Sequence, residues 1–419
     1  MTETAKSGPI FVHASPRSGS TYFFNVLRRN DNLLCFNEAI IDGKHDLARF
    51  RFTNKNFVGQ HWNVNHHFLE RDDFHEFLEA WEAIIHLCPE FPAFIDYLPP
   101  EGRLSSELTG YLAALLDYAC RRTKRPVLCE INSRGRAGAL RSTFGGFHIA
   151  QYRDPMSQFG SFIRAVIEAG FWGFLAFPAT ELGTSGSHPL YQVIPEIWRA
   201  PELGWRAATR AQHWASDAQY FATVGSEDIE RIFRWHIFSW VLTNLAALSY
   251  CDVALDIDKV HDNLSYRTSM AHDLGQRLGV TLNFSDIQKF DRYYEFDSFD
   301  ACDVCDQVVS TVQAAAKDGR LASAISTLAE QTPVIPIAAA IEILSDKIQE
   351  SQNSMTRSSS LRHISYQEWR SIADANRKIW FNPQIRRLAE YCYPIAAPIV
   401  RAVRQASSWC NKRSLASAG

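Results

Sequence analysis

The sequence predicts an α/β protein in which a parallel sheet is flanked by helices, and three observations carry that expectation. The apolar run Ile10-Phe11-Val12 is followed by the turn Ser15-Pro16-Arg17-Ser18-Gly19-Ser20-Thr21 and then by helical spacing from Tyr22 to Arg29, which is the order strand, phosphate loop, helix. A further strand, Phe147 to Tyr152, ends at Arg153-Asp154-Pro155 and gives way to a helix. Strands and helices alternate between and beyond these two places, with ligand-type residues at strand C-terminal ends, which argues for a parallel sheet with its site on the carboxyl edge.

In the first unit, Gly19 lets the backbone approach a ligand, successive loop N–H groups can converge on one anion, and the helix behind them adds roughly half a positive charge. Arg17 adds a full charge, and Ser18, Ser20 and Thr21 offer hydroxyls. With one glycine and no lysine the loop is not a Walker A sequence, which points away from ATP with magnesium. Leu33 to Phe36 reads as a second short strand ending at Asn37-Glu38, so Glu38 either faces the crevice of the phosphate loop or is a surface carboxylate. Residues 44–73 are polar and aromatic, with His61, His66 and His67 around Trp62. They read as solvated loop histidines or as a loop lining an acceptor pocket, and no carboxylate or cysteine stands at metal-ligand spacing beside them.

Helical spacing returns at Phe74–Leu87 and Leu104–Cys120, the latter followed by Arg121, Arg122, Lys124 and Arg125. A strand, Pro126–Glu130, leads through Ile131-Asn132-Ser133-Arg134-Gly135-Arg136 to a short helix, Ala137–Phe144, broken by Gly145-Gly146. After the strand at 147–152, Pro155 suits the first turn of a helix and Asp154 its cap, and Ser161 falls roughly two turns in. Residues 169–225 are rich in Phe, Trp and Tyr with weak periodicity and read either as an acceptor lid or as the core of a second lobe. A helix over Asp228–Ser249, a buried strand over Asp252–Ile257 and a helix over Thr268–Leu278 ending at Gly279 follow. Beyond 300 the pattern is helical, at Cys305–Ala316, Leu321–Glu330 and Ile337–Glu350. A Ser-rich linker is expected at 351–360, then a further helix and a basic tail in 361–419.

With 419 residues, 46% hydrophobic and 21% charged, the composition is globular, and a net charge of −3 rules out the broad basic surface of a nucleic-acid binder. Nine scattered cysteines, an odd number, fit reduced thiols of a cytosol, and Cys302-Asp-Val-Cys305 lacks the second pair of a zinc site. The polar start and the want of a stretch near the roughly 18 apolar residues of a spanning helix make the expected protein soluble and cytoplasmic. The basic tail, with Arg401, Arg404, Lys412 and Arg413, offers at most weak contact with an anionic membrane surface.

The loop Pro16-Arg17-Ser18-Gly19-Ser20-Thr21 after a first strand, and Arg153 followed eight residues later by Ser161, together resemble the two marks of the sulfotransferases that use 3′-phosphoadenosine 5′-phosphosulfate (PAPS). The resemblance covers residues 8–30 and 126–165 well and 228–280 loosely. It implies a P-loop-like parallel sheet, with Arg17, Ser18, Gly19, Ser20 and Thr21 holding the phosphosulfate, and Arg153 and Ser161 the 3′-phosphate. Arg17 stands where the family usually has Lys, which keeps the charge and changes its shape to a planar fork. The resemblance further implies Glu38 as the base, with His61 or His66 as alternatives, and no metal. The acceptor it favours is a sugar of a glycan or of a lipo-oligosaccharide such as nodulating bacteria make. Glu130, Asn132, Arg134 and Arg136 are further expected contacts to nucleotide or an anionic acceptor, with Arg134 and Arg136 equally readable as loop charges. On this reading residues 1–300 form the catalytic domain and 301–350 a helical extension. The rival classes are a P-loop kinase or hydrolase, and a non-catalytic nucleotide- or glycan-binding protein.

Overall fold

The structure is a computed structural model that describes residues 8–40, 75–89, 97–169, 172–183, 187–200, 227–288, 292–359 and 361–380. In chain order these form β1 (Ile10–His13), α1 (Ser20–Arg28), β2 (Leu33–Asn37), α2 (His75–Ile84), α3 (Ser106–Cys120), β3 (Arg125–Glu130), α4 (Ala137–Phe144), β4 (Phe147–Tyr152) and α5 (Pro155–Ala169). Then come α6 (Gly173–Gly183), α7 (Pro189–Gln192), α8 (Ile229–Tyr250), β5 (Val253–Asp256), α9 (Ile257–Asp262) and α10 (Leu264–Leu278). The remainder is β6 (Tyr293–Phe296), α11 (Ala301–Lys317), α12 (Arg320–Ser326), α13 (Ile337–Arg357), β7 (Leu361–Ile364) and α14 (Tyr366–Trp380).

The chain divides into two compact units that interleave along the sequence: residues 1–153, 242–290 and 319–344 in one, and 154–241, 291–318 and 345–419 in the other.

The first unit is built on a five-stranded, all-parallel sheet in the order β2-β3-β1-β4-β5. Its strands are apolar at nearly every position because both faces are covered. Alternation sends Ile10, Val12, Cys35, Val127, Ile149 and Leu255 to the face packed by Phe23, Phe24, Leu274 and Leu278 of α1 and α10. Phe11, Leu34, Phe36 and Leu128 go to the other face, against Phe77 of α2, Leu108, Leu112 and Leu115 of α3 and Leu140 of α4. The register aligns His13 with Glu130 on one side and with Ala150 on the other, so the loops that leave β1, β3 and β4 gather on one edge.

Segment 319–344 closes this unit. A Cβ on Gly102 would lie 2.6 Å from the Ala329 backbone and one on Gly138 2.8 Å from the Leu328 carbonyl, and the Tyr250 hydroxyl donates to the Ile325 carbonyl at 2.7 Å.

In the second unit α5 begins as the sequence predicts: Asp154 caps it by accepting from Ser157 N–H at 2.8 Å, and Pro155 takes the first position. Asp154 is buried and also accepts from the hydroxyls of Tyr293 and Ser351. Ser351 lies in α13, which runs on to Arg357, so the Ser-rich stretch is not a linker over 351–357. Its first serine is buried and bonded, a fact that composition does not carry. A two-stranded parallel sheet, β6-β7, also went unread. Of the aromatic segment 169–225, the described part is mostly helical, and Trp172, Phe174 and Trp198 lie against Trp369, Phe162 and Phe238. Among the described residues no helix is long and apolar enough to cross a membrane.

Candidate functional site on the carboxyl edge of the sheet

The loop between β1 and α1 is a braced turn. Gly19 sits at φ 84°, ψ 17° and Arg17 at φ 64°, both in the left-handed region. The Ser18 hydroxyl donates to the Ser15 carbonyl at 2.7 Å, and Ser18 N–H reaches the same carbonyl at 3.2 Å. Ser18 is 0% exposed, and its hydroxyl closes the turn.

The first bond of α1 runs from Phe23 N–H to the Gly19 carbonyl at 3.1 Å. The N–H groups of Ser20, Thr21 and Tyr22 therefore precede the helical ladder and have no acceptor within it. With no side-chain cap at Gly19, these donors and the positive end of the helix suit an anion.

Two side chains from the end of β4 hold the loop's carbonyls. Arg153 Nη1 donates to the Arg17 carbonyl at 3.1 Å, and Gln151 Nε2 donates to the Ser18 carbonyl at 2.8 Å. Because N–H and C=O point opposite ways across a trans peptide, tying the Ser18 carbonyl down turns Gly19 N–H out. Arg153 is also 3.8 Å from Asp258 Oδ1. Gln151 was not singled out in the sequence. Its one signal was alternation, which puts it on the same side of β4 as Ile149 and two residues before Arg153.

Gly19 is constrained twice, by its positive φ and by Ile257, whose Cγ1 would be 3.2 Å from an added Cβ. Gly19→Ala is expected to cost about 1–2 kcal/mol, read as a lower urea midpoint at constant slope.

Glu38 follows β2 at φ 51°, half-buried. The turn it starts is held by five hydrogen bonds. Glu38 N–H donates to the Cys129 carbonyl at 2.7 Å. Ala39 and Ile40 N–H donate to Glu130 Oε1 and Oε2 at 2.7 and 3.0 Å. Asn132 Nδ2 donates to the Ile40 carbonyl at 3.0 Å and Tyr111 to the Ala39 carbonyl at 2.9 Å. Burial first, with the neighbouring Cys88 and Glu130, pushes the Tyr111 phenol well up and keeps that hydroxyl a donor.

Glu130 and Asn132, expected as ligand contacts, are thus engaged in holding residues 38–40. Arg134 and Arg136 are not exposed loop charges: both are buried, and Arg136 donates to the Asn132 carbonyl at 2.5 Å and lies 5.5 Å from the Tyr97 ring. Ser161 is half-buried in the second turn of α5, within the other unit. His61, His66 and His67 lie outside the described residues.

A polar chain missed in the sequence runs beneath this edge. The Gly145 carbonyl can only accept, so His148 Nε2–H donates to it at 2.8 Å and leaves Nδ1 bare. His13 Nε2–H then donates to His148 Nδ1 at 3.0 Å, and the Ser133 hydroxyl donates to His13 Nδ1 at 2.8 Å. Burial pushes His148 down to about 3, with the Arg141 charge adding to it against the Gly145 bond. Burial and then His148 hold His13 well below the ordinary histidine value.

Fold and site together define an α/β protein whose five-stranded parallel sheet gathers a braced, amide-presenting loop, two arginines and a fixed carboxylate on its carboxyl edge. Comparison with family models, with curated proteins and with solved structures found no match for this chain.

Proposed function

We propose that the protein is a sulfotransferase that moves a sulfuryl group from PAPS to a hydroxyl, with a sugar of a glycan or lipo-oligosaccharide as the acceptor class that the sequence resemblance favours. The observation that supports the reading is the bond from Arg153 to the carbonyl of Arg17, which joins the loop of the first mark to the arginine of the second, 136 residues away. The strand order β2-β3-β1-β4-β5, with the loop after the central strand, agrees with a P-loop-like sheet.

In this reading the amides of Gly19, Ser20 and Thr21 and the Arg17 guanidinium take the charge of the phosphosulfate, and the Ser20 and Thr21 hydroxyls add donors. Arg153 takes the 3′-phosphate, with Ser161 as the partner that the resemblance assigns. The acceptor oxygen forms a bond to sulfur as the bond from sulfur to the bridging phosphate oxygen breaks. The acceptor proton passes to Glu38, and adenosine 3′,5′-bisphosphate leaves. Positioning and electrostatic stabilisation supply most of the rate, as in phosphoryl transfer.

A kinase or hydrolase reading has one observation in its favour, since Glu130 ends the strand beside β1, where a P-loop enzyme carries its metal-binding acid. Both oxygens of that carboxylate are engaged by Ala39 and Ile40, and the loop has no lysine. The bisphosphate nucleotide at about 100 times its Kd is expected to stabilise the protein by about 2.7 kcal/mol, raising Tm. ATP raising Tm in its place favours the kinase class. With radiolabelled PAPS and a panel of glycans and phenols, an acceptor is labelled, and Arg17→Ala and Ser161→Ala abolish the labelling. Glu38→Gln lowers turnover by about a hundredfold to ten-thousandfold with nucleotide binding intact.

A further inference from the structure

Glu130 stands between two parts of the candidate site and is bonded to both. Its backbone carbonyl accepts from Ala14 N–H at 2.8 Å, at the root of the anion loop, while its carboxylate accepts from Ala39 and Ile40 N–H. It is 1% exposed. Glu38 carries a positive φ, a conformation that costs a non-glycine residue about 1 kcal/mol or more and persists only where its surroundings fix it. The two bonds from the next two amides, one to each oxygen of the Glu130 carboxyl group, are among those that do so.

We propose that Glu130 is a positioning residue, which fixes the turn bearing Glu38 to the same strand end that roots the anion loop, and so sets where the base stands relative to the group being transferred. The proposal rests on the sulfotransferase reading. It differs from a purely structural role in acting through Glu38 alone, so its loss has no consequence where Glu38 is already disabled. An amide at position 130 turns one acceptor into a donor that faces an N–H, which removes one bond and sets two donors against each other.

The experiment uses the full chain with PAPS, following release of adenosine 3′,5′-bisphosphate with water or the screened acceptor as recipient. Glu130→Gln is expected to lower turnover at least tenfold, to change bisphosphate affinity by less than threefold, and to speed amide exchange in the segment 38–40. In the Glu38→Gln background it is expected to change turnover by less than twofold. A Glu130→Gln loss of the same size in both backgrounds, or one accompanied by an equal loss of bisphosphate affinity, overturns the positioning role and leaves the sulfotransferase reading standing. A native protein that takes up no bisphosphate overturns both. Should Glu130→Gln fail to fold, Tyr111→Phe serves, since it keeps the ring and removes the hydroxyl that holds the Ala39 carbonyl and meets Cys88. Its expected severalfold loss of turnover must likewise vanish in Glu38→Gln, and persistence there refutes the proposal.

Discussion

Arg153→Ala is expected to weaken binding of adenosine 3′,5′-bisphosphate by about a hundredfold. The side chain is asked to do two things, and the substitution removes both. On the proposed reading the guanidinium faces a phosphate, where a charge-assisted bond supplies about 1.5–3 kcal/mol. As the donor to the Arg17 carbonyl it holds the loop in the conformation that turns its amides outward, about 1 kcal/mol more. Together these come to roughly 2.5–4 kcal/mol, or about sixty- to a thousandfold in affinity. Arg153→Lys retains the charge without the fork, so it cannot grip a phosphate and the carbonyl together, and it is expected to recover only part of the loss. Titration calorimetry with the bisphosphate measures both variants. A change under threefold for Arg153→Ala contradicts the placement of a phosphate at this arginine.

Stability is expected to fall steeply as the pH drops below about 6.5. His13 and His148 are held neutral in the folded chain by burial, and His148 reaches only about 3. Below the ordinary histidine value the unfolded chain takes up protons that the folded chain refuses, so acid favours unfolding. The contribution is complete above pH 6.5 and is lost progressively down to about 3 for His148, at up to about 1.4 kcal/mol per pH unit for each histidine. His148→Gln tests the sign and the source. A glutamine can accept from His13 Nε2–H and donate to the Gly145 carbonyl, which keeps the chain while removing one titrating group. Urea unfolding between pH 7 and 4.5 should then show a shallower dependence for the variant, and an unchanged slope would remove His148 from the effect.

How far the sequence disclosed this molecule depends on whether a feature is local. The strand Ile10–Val12, the helix that follows Gly19, and the cap and first turn at Asp154-Pro155 are each written within a few residues, and all appear where expected. The pairing of β6 with β7 joins four-residue strands 68 positions apart, and neither has enough length for its alternation to register. Ser351 reads as linker by its neighbours, yet its hydroxyl meets Asp154 from 197 residues away. The same holds at the site. Arg17 and Arg153 were visible as motif positions, whereas the partners of Glu130 and the tautomer order of the two histidines depend on contacts that span 90 to 135 residues. Ser18 shows the converse: its type fits the motif, but its hydroxyl is turned inward to close the turn.

Ala329 sits where Gly102 and Gly138 leave room for it, and Tyr250 reaches the carbonyl of Ile325 beside it. During synthesis the sheet strands emerge first, and this covering piece arrives about seventy residues after β5 has left the ribosome. A nascent chain halted near residue 300 therefore carries all five strands and the helices that cover them, without the piece that packs against Gly102, Gly138 and Tyr250. Completion of the first unit must await translation past Leu344, which makes the late segment a closing part of the earliest structure and not an appendage to it.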